Sequence, residues 1–166
     1  MASTIGVDTI QNSTSGTTGL TIDTSGRILM PNVVAWFVGK SSSQTASGAF
    51  ETITWPVVTL NQGSGFNASG GNANKFVAPV HGIYTTSATI FSTDDNASND
   101  VCLKKNSSIV VRMRNAEVSG YETYSLTWVG ELDANDTLAL QIVTSSRSVY
   151  GDSNNYWTTW CGHLIG

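Results

Sequence analysis

Lys75-Phe76-Val77-Ala78-Pro79-Val80-His81-Gly82-Ile83-Tyr84 decides how this chain is read. Proline carries no N–H, so Pro79 closes one strand; Gly82 permits a tight approach, and Tyr84 starts a second run with apolar residues on one face. The same period of two recurs in Thr137-Leu138-Ala139-Leu140-Gln141-Ile142, where Leu138, Leu140 and Ile142 face one way and the polar residues the other, the pattern of a half-buried strand. No comparable stretch repeats at three and four, so the chain reads as all-β.

Outward from that stretch, the alternating runs come at the spacing of a sandwich or barrel. Expected strands are Val33–Val38, Thr52–Leu60, Lys75–Ala78, Gly82–Phe91, Val101–Lys105, Ile109–Arg114, Tyr121–Leu132, Thr137–Val143 and Tyr156–Ile165. Between them lie polar loops at Ser41–Gly48, Asn67–Asn74, Thr93–Asn99 and Arg147–Asn155, and a hairpin turn at Asp133-Ala134-Asn135-Asp136 whose Asn135 can adopt the left-handed conformation. Residues 1–31 stand apart: a short alternating run from Thr4 to Ile10, a polar link, then Leu20-Thr21-Ile22 turning through Asp23-Thr24-Ser25-Gly26 into Arg27–Met30. That stretch has too few large apolar residues to fold alone, which suits an arm that packs on a neighbour or pairs with a sheet edge. Two domains follow, 1–31 as an N-terminal extended attachment arm and 32–166 as the globular part.

Composition narrows the function. The chain has 166 residues with 8 Lys+Arg against 12 Asp+Glu, and only 12% of it is charged. Ser, Thr, Asn and Gly are abundant, so the surface is neutral and rich in hydroxyls. With no Lys/Arg cluster, nucleic acid is not an expected partner. No run approaches the 18 apolar residues of a membrane span, and residues 1–8 lack the basic start and apolar run of a secretory signal, so neither membrane insertion nor export is expected. Cys102 and Cys161 match no zinc or redox spacing and read either as two free buried thiols or as one disulfide.

Within and around the opening stretch, Trp55-Pro56-Val57-Val58, Phe66-Asn67 and Lys75–Tyr84 together resemble the globular head domain of the complement first component's q subunit, a tumour-necrosis-factor-like jelly roll. Leu126–Leu132 with Asp136–Ile142 resembles that family's paired strands, and Thr159-Trp160-Cys161-Gly162-His163-Leu164-Ile165 its closing strand. Asn135 stands where the family usually has glycine, and His163 where a second aromatic is common. The resemblance covers residues 33–166 and implies a jelly-roll β-sandwich that assembles as a homotrimer. Five Trp, five Tyr and five Phe exceed what a small core needs, which fits a subunit interface. Residues 3–11 and 17–28 resemble the leader of structural proteins in tailed bacteriophages.

A search for catalytic machinery finds none to name. His81 and His163 are the two imidazoles, with no nucleophile elbow or zinc-binding histidine pair beside them. His81 is expected in the turn before Gly82, and His163 as a packed or interface residue. Asp94, Asp95 and Asp100 are the one group that could gather round calcium, but they lack the ordered spacing of a dedicated loop, so no cofactor is expected. These readings lead to a non-enzymatic virion protein of a tailed bacteriophage, a trimer decorating or cementing the capsid through residues 1–31. The alternative is a tail-fibre tip binding a host surface glycan or protein, with Tyr150, Tyr156 and Trp157 as contact aromatics.

Overall fold

The structure is a computed structural model that describes residues 6, 8–11, 14, 18–30, 32–94, 98–114, 120–154 and 156–165. It divides into two units, residues 1–33 and 34–166. In the first, β1 (Thr9–Gln11), β2 (Thr18–Ile22) and β3 (Ile28–Leu29) form an antiparallel sheet of their own. The turn expected at Asp23–Gly26 joins β2 to β3. Asp23 Oδ1 accepts the N–H groups of Ser25 and Arg27, each at 2.9 Å, and Oδ2 accepts Arg27 Nε at 2.7 Å. Gly26 supplies the positive φ of 76° that such a turn needs. The start of the expected Thr4–Ile10 run lies outside the described residues.

The second unit carries β4 (Ala35–Gly39), β5 (Ser42–Thr45), β6 (Glu51–Thr52), β7 (Val57–Gln62), β8 (Phe66–Asn67), β9 (Lys75–Val77), β10 (Gly82–Ser92), β11 (Asp100–Lys105), β12 (Ser108–Arg114), β13 (Glu122–Leu132), β14 (Thr137–Ile142), β15 (Ser148–Asp152) and β16 (Thr159–Leu164). Among the described residues these strands make two antiparallel sheets. One runs β5-β15-β10-β16-β4-β7, with β13 on the other flank of β10; the second runs β12-β11-β14-β9-β8, with β6 beside β14. Among the described residues no helix is long and apolar enough to cross a membrane.

Three readings are corrected here. The run expected at Thr52–Leu60 is two strands, β6 and β7, in opposite sheets. Pro56 cannot donate to a ladder, and the chain crosses between the sheets there with Trp55 N bonded to Asn74 Oδ1 at 2.8 Å. The loops expected at Ser41–Gly48 and Arg147–Asn155 contain β5 and β15, which pair with each other. Ser42-Ser43-Gln44-Thr45 has no apolar alternation to announce a strand, because it lies at the end of the sheet, where backbone pairing to one neighbour defines it.

The core between the sheets is aromatic. Trp36 stacks on Phe76 with ring centroids 3.9 Å apart and planes 17° from parallel. Trp160 meets Trp36 edge-on at 5.7 Å and lies beside Trp55 and Phe66. Tyr84, fully buried, donates its hydroxyl to Val80 O at 2.8 Å and so ties β10 back to the corner that precedes it. Gly162 is required in β16: a Cβ there would stand 2.3 Å from Trp36 Cη2 and 2.6 Å from Thr85 O. The expected hairpin turn is in place, with Asn135 at φ 75° and the Asp136 carboxylate accepting Lys105 Nζ and Asn106 Nδ2.

Candidate functional interface

The alternation in β10 buries Tyr84, Thr86, Ala88, Ile90 and Ser92 and turns Ile83, Thr85, Ser87, Thr89 and Phe91 outward. Pairing extends that outer face sideways. Val129 lies opposite Thr85 on β13, His163 opposite Thr85 and Cys161 opposite Ser87 on β16, and Phe37 and Leu60 follow on β4 and β7. Several large apolar side chains on or bordering this face are open to solvent, among them Leu60, Ile83, Val129 at 57% and Tyr121 at 71%. The seven strands of this sheet contain neither Lys nor Arg. The other sheet carries Lys75, Lys104, Lys105, Arg112 and Arg114. With Glu131 opposite Ile83 and His163 opposite Thr85 as ionisable exceptions, an exposed sheet face of apolar and hydroxyl side chains without Lys or Arg carries little of the charge that keeps a solvent-facing sheet monomeric.

At one end of this face Phe91 is ringed by Tyr121, Tyr150 and Trp157, with centroids 5.8, 5.6 and 5.3 Å away. Together with Thr93 they line a depression of about 360 Å³. Two of the three aromatics named from sequence, Tyr150 and Trp157, therefore share one site, and Tyr150 points its hydroxyl at Asp152 Oδ2, 3.5 Å away. Tyr156 is not part of it. Its ring lies over Gly39, where a Cβ would approach Tyr156 Cδ1 to 2.7 Å, and its backbone takes a positive φ of 43°. Phe91 and Tyr121 were missed in sequence; alternation along β10 turns Phe91 outward, but nothing in the spacing joins residues so far apart.

The remaining candidates have local duties. His81 sits in the bend before Gly82 with Glu131 at 3.3 Å and Asp133 at 3.0 Å, and His163 is exposed on β16. Asp94 accepts Ser148 N at 2.6 Å, and Asp100 is paired with Arg112 through Nε at 3.0 and 3.1 Å; Asp95 lies outside the described residues. Among the described residues no group of three or more His, Cys, Asp or Glu is placed to hold a metal ion. Cys102 and Cys161 are free thiols, one in each sheet, and burial pushes both above the usual thiol range. Of the two readings left open by spacing, the disulfide is set aside.

The C1q domain model matches residues 35–165, from β4 to the residue after β16. The chain belongs to the C1q domain family. Solved structures similar to this C1q domain include the globular domain of a zebrafish complement 1qA protein, 16% identical over 80% of this chain and 98% of that one, at a TM-score of 0.63. Mouse APRIL crystallised at pH 5.0 is 14% identical over 80% and 99% of the two chains, with a TM-score of 0.65. Eiger TNF from S. frugiperda is 11% identical over 81% and 94%, with a TM-score of 0.64. At such identities these likenesses establish the fold, a C1q/TNF-like jelly roll of two antiparallel sheets. No curated protein sequence matches the chain.

Proposed function

We propose that this C1q domain protein is a non-enzymatic virion component of a tailed bacteriophage, a homotrimer that decorates or cements the capsid through residues 1–31. The observation that carries the trimer is the outer face of the seven-stranded sheet, with Leu60, Ile83 and Val129 exposed and no Lys or Arg in any of its strands. Association of that face with further copies removes apolar surface from water, and a closed ring leaves no face to propagate. Domains of this family typically trimerise. What supports the virion role is the leader-like sequence of residues 3–11 and 17–28, together with the composition of the chain: hydroxyl-rich, weakly charged and without a catalytic constellation.

A second reading rests on the aromatic depression. Tyr150 and Trp157 offer ring faces beside Thr93, a chemistry suited to a pyranose of a host surface glycan, and a tail-fibre tip would use it. Immunogold labelling of purified particles separates the two. Label over the head supports decoration, label confined to the tail supports the fibre tip, and unlabelled particles remove both. Deletion of residues 1–30 is expected to leave a folded protein that no longer joins particles; continued incorporation overturns the role of the arm.

A further inference from the structure

Lys40 follows β4 directly and is 1% exposed, yet among the described residues no carboxylate lies within ion-pair distance of it. Its backbone is fixed on both sides, N–H to Thr158 O and C=O from Asp152 N, each at 3.1 Å. The side chain runs inward to a neutral site, where Nζ donates to Gln44 Oε1 at 3.0 Å, to Thr54 Oγ1 at 2.9 Å and to Thr54 O at 3.2 Å. Gln44 is fixed by hydrogen bonds at both ends of its amide. Its Oε1 also accepts Thr54 N–H at 2.8 Å and lies 3.0 Å from Thr54 Oγ1, while its Nε2 donates to Glu51 Oε1 at 2.9 Å and to Thr52 O at 3.0 Å.

That arrangement contains the parts of an acyl transfer. A buried amine lies against an amide carbonyl, two donors from Thr54 point at the oxygen that would carry negative charge, and a carboxylate touches the nitrogen that would leave. We propose that Lys40 and Gln44 join in an amide crosslink formed by the protein itself, with release of ammonia. Once Lys40 has lost its ammonium proton, the Nζ–Cδ bond forms and the Cδ–Nε2 bond breaks. Glu51 touches Nε2 and not Nζ before reaction; in the tetrahedral adduct, where Nζ and Nε2 share Cδ, it takes one Nζ proton and returns it to Nε2, which departs as ammonia, and no oxidant or further reactant enters. Burial assists the first step by pulling the Lys40 ammonium down to about 8, against the opposing charge of Glu51. Hydrogen bonds from Ser47 and Gln44 hold Glu51 down to about 2, so it is a weak base and the proton relay sets a slow rate. The bond would fasten the end of β4 to β5, which among the described residues otherwise pairs with β15 alone.

Intact-mass spectrometry of the full chain, incubated at pH 8.5 and then denatured, tests this. The expected product is lighter than the sequence mass by one ammonia. Trypsin should then fail to cut after Lys40, giving a single peptide of residues 28–75 that lacks one ammonia and shows the Lys40–Gln44 link on fragmentation. Retention of the full sequence mass with cleavage after Lys40 overturns the proposal, as does an ammonia loss that maps elsewhere. Glu51→Gln should slow crosslinking on the order of a hundredfold; formation at the wild-type rate overturns the relay. The wild-type mass decides the main point even if a variant fails to fold.

Discussion

Replacing Thr86 with valine removes one hydroxyl from the centre of the sandwich without changing the volume of the side chain. Thr86 Oγ1 accepts the Trp160 indole N–H at 2.6 Å and donates to Cys161 O at 2.7 Å, and both Thr86 and Trp160 are buried. The indole N–H groups of Trp36 and Trp55 find no acceptor among the described residues, so Trp160 stands apart among the three buried tryptophans in having its donor satisfied. Loss of two hydrogen bonds at about 1 kcal/mol each, with a buried indole donor left unpaired, costs about 3 kcal/mol, of which the added methyl returns a part. The expected net loss is about 2 kcal/mol, or roughly 6–10 °C in Tm for a domain of this size. Thermal and urea unfolding at fixed protein concentration measure it, with Thr86→Ser as the control that keeps the hydroxyl and drops the methyl. The reasoning fails if Thr86→Val unfolds within about 0.5 kcal/mol of wild type, or if Thr86→Ser is the less stable of the two.

Other consequences follow from the same packing. Gly162→Ala places a methyl against the Trp36 ring and the Thr85 carbonyl, so it should cost at least about 2 kcal/mol in urea unfolding. Asp136 is held down to about 2 by hydrogen bonds from Asn106, Lys105 and the Asp133 N–H. The unfolded chain binds that proton nearer pH 4, so the stability from Asp136 is complete above pH 4 and lost as pH falls toward 2. Asp136→Asn should flatten the stability profile across that window, and an unchanged acid slope would deny the turn its role. Val129→Arg puts a cation on the flanking strand of a face whose strands hold neither Lys nor Arg, and should lower the assembled mass in light scattering while leaving far-ultraviolet circular dichroism intact.

The sandwich was legible because its inner strands alternate cleanly. The strand expected at Thr137–Val143 is β14, Thr137–Ile142, one residue shorter, and Gly82–Phe91 is one residue short of the observed β10. The opening stretch was read rightly for a physical reason: Pro79 and Gly82 bracket a corner, and Tyr84 reaches back to bond its carbonyl at Val80. What escaped was structure without a hydrophobic signature. β5 is Ser-Ser-Gln-Thr, recognisable only through its backbone partner β15, and the buried Lys40 is indistinguishable in sequence from a surface lysine beside a serine run. The site was half legible. Tyr150 and Trp157 were named because aromatic rings stack on sugars, whereas Phe91 and Tyr121 join them through tertiary packing across β10 and the start of β13. Tyr156 could not be separated from its neighbour Trp157, since the turn that sends one ring over Gly39 and the other toward Phe91 is a backbone feature.

In the proposed assembly, the lysine- and arginine-free face of the seven-stranded sheet joins copies of this chain into a trimer. Light-scattering mass of the full chain eluting from a sizing column, at micromolar concentration and neutral pH, tests it most directly. The account predicts a mass of three chains. A stable, folded species with the mass of one chain would contradict it.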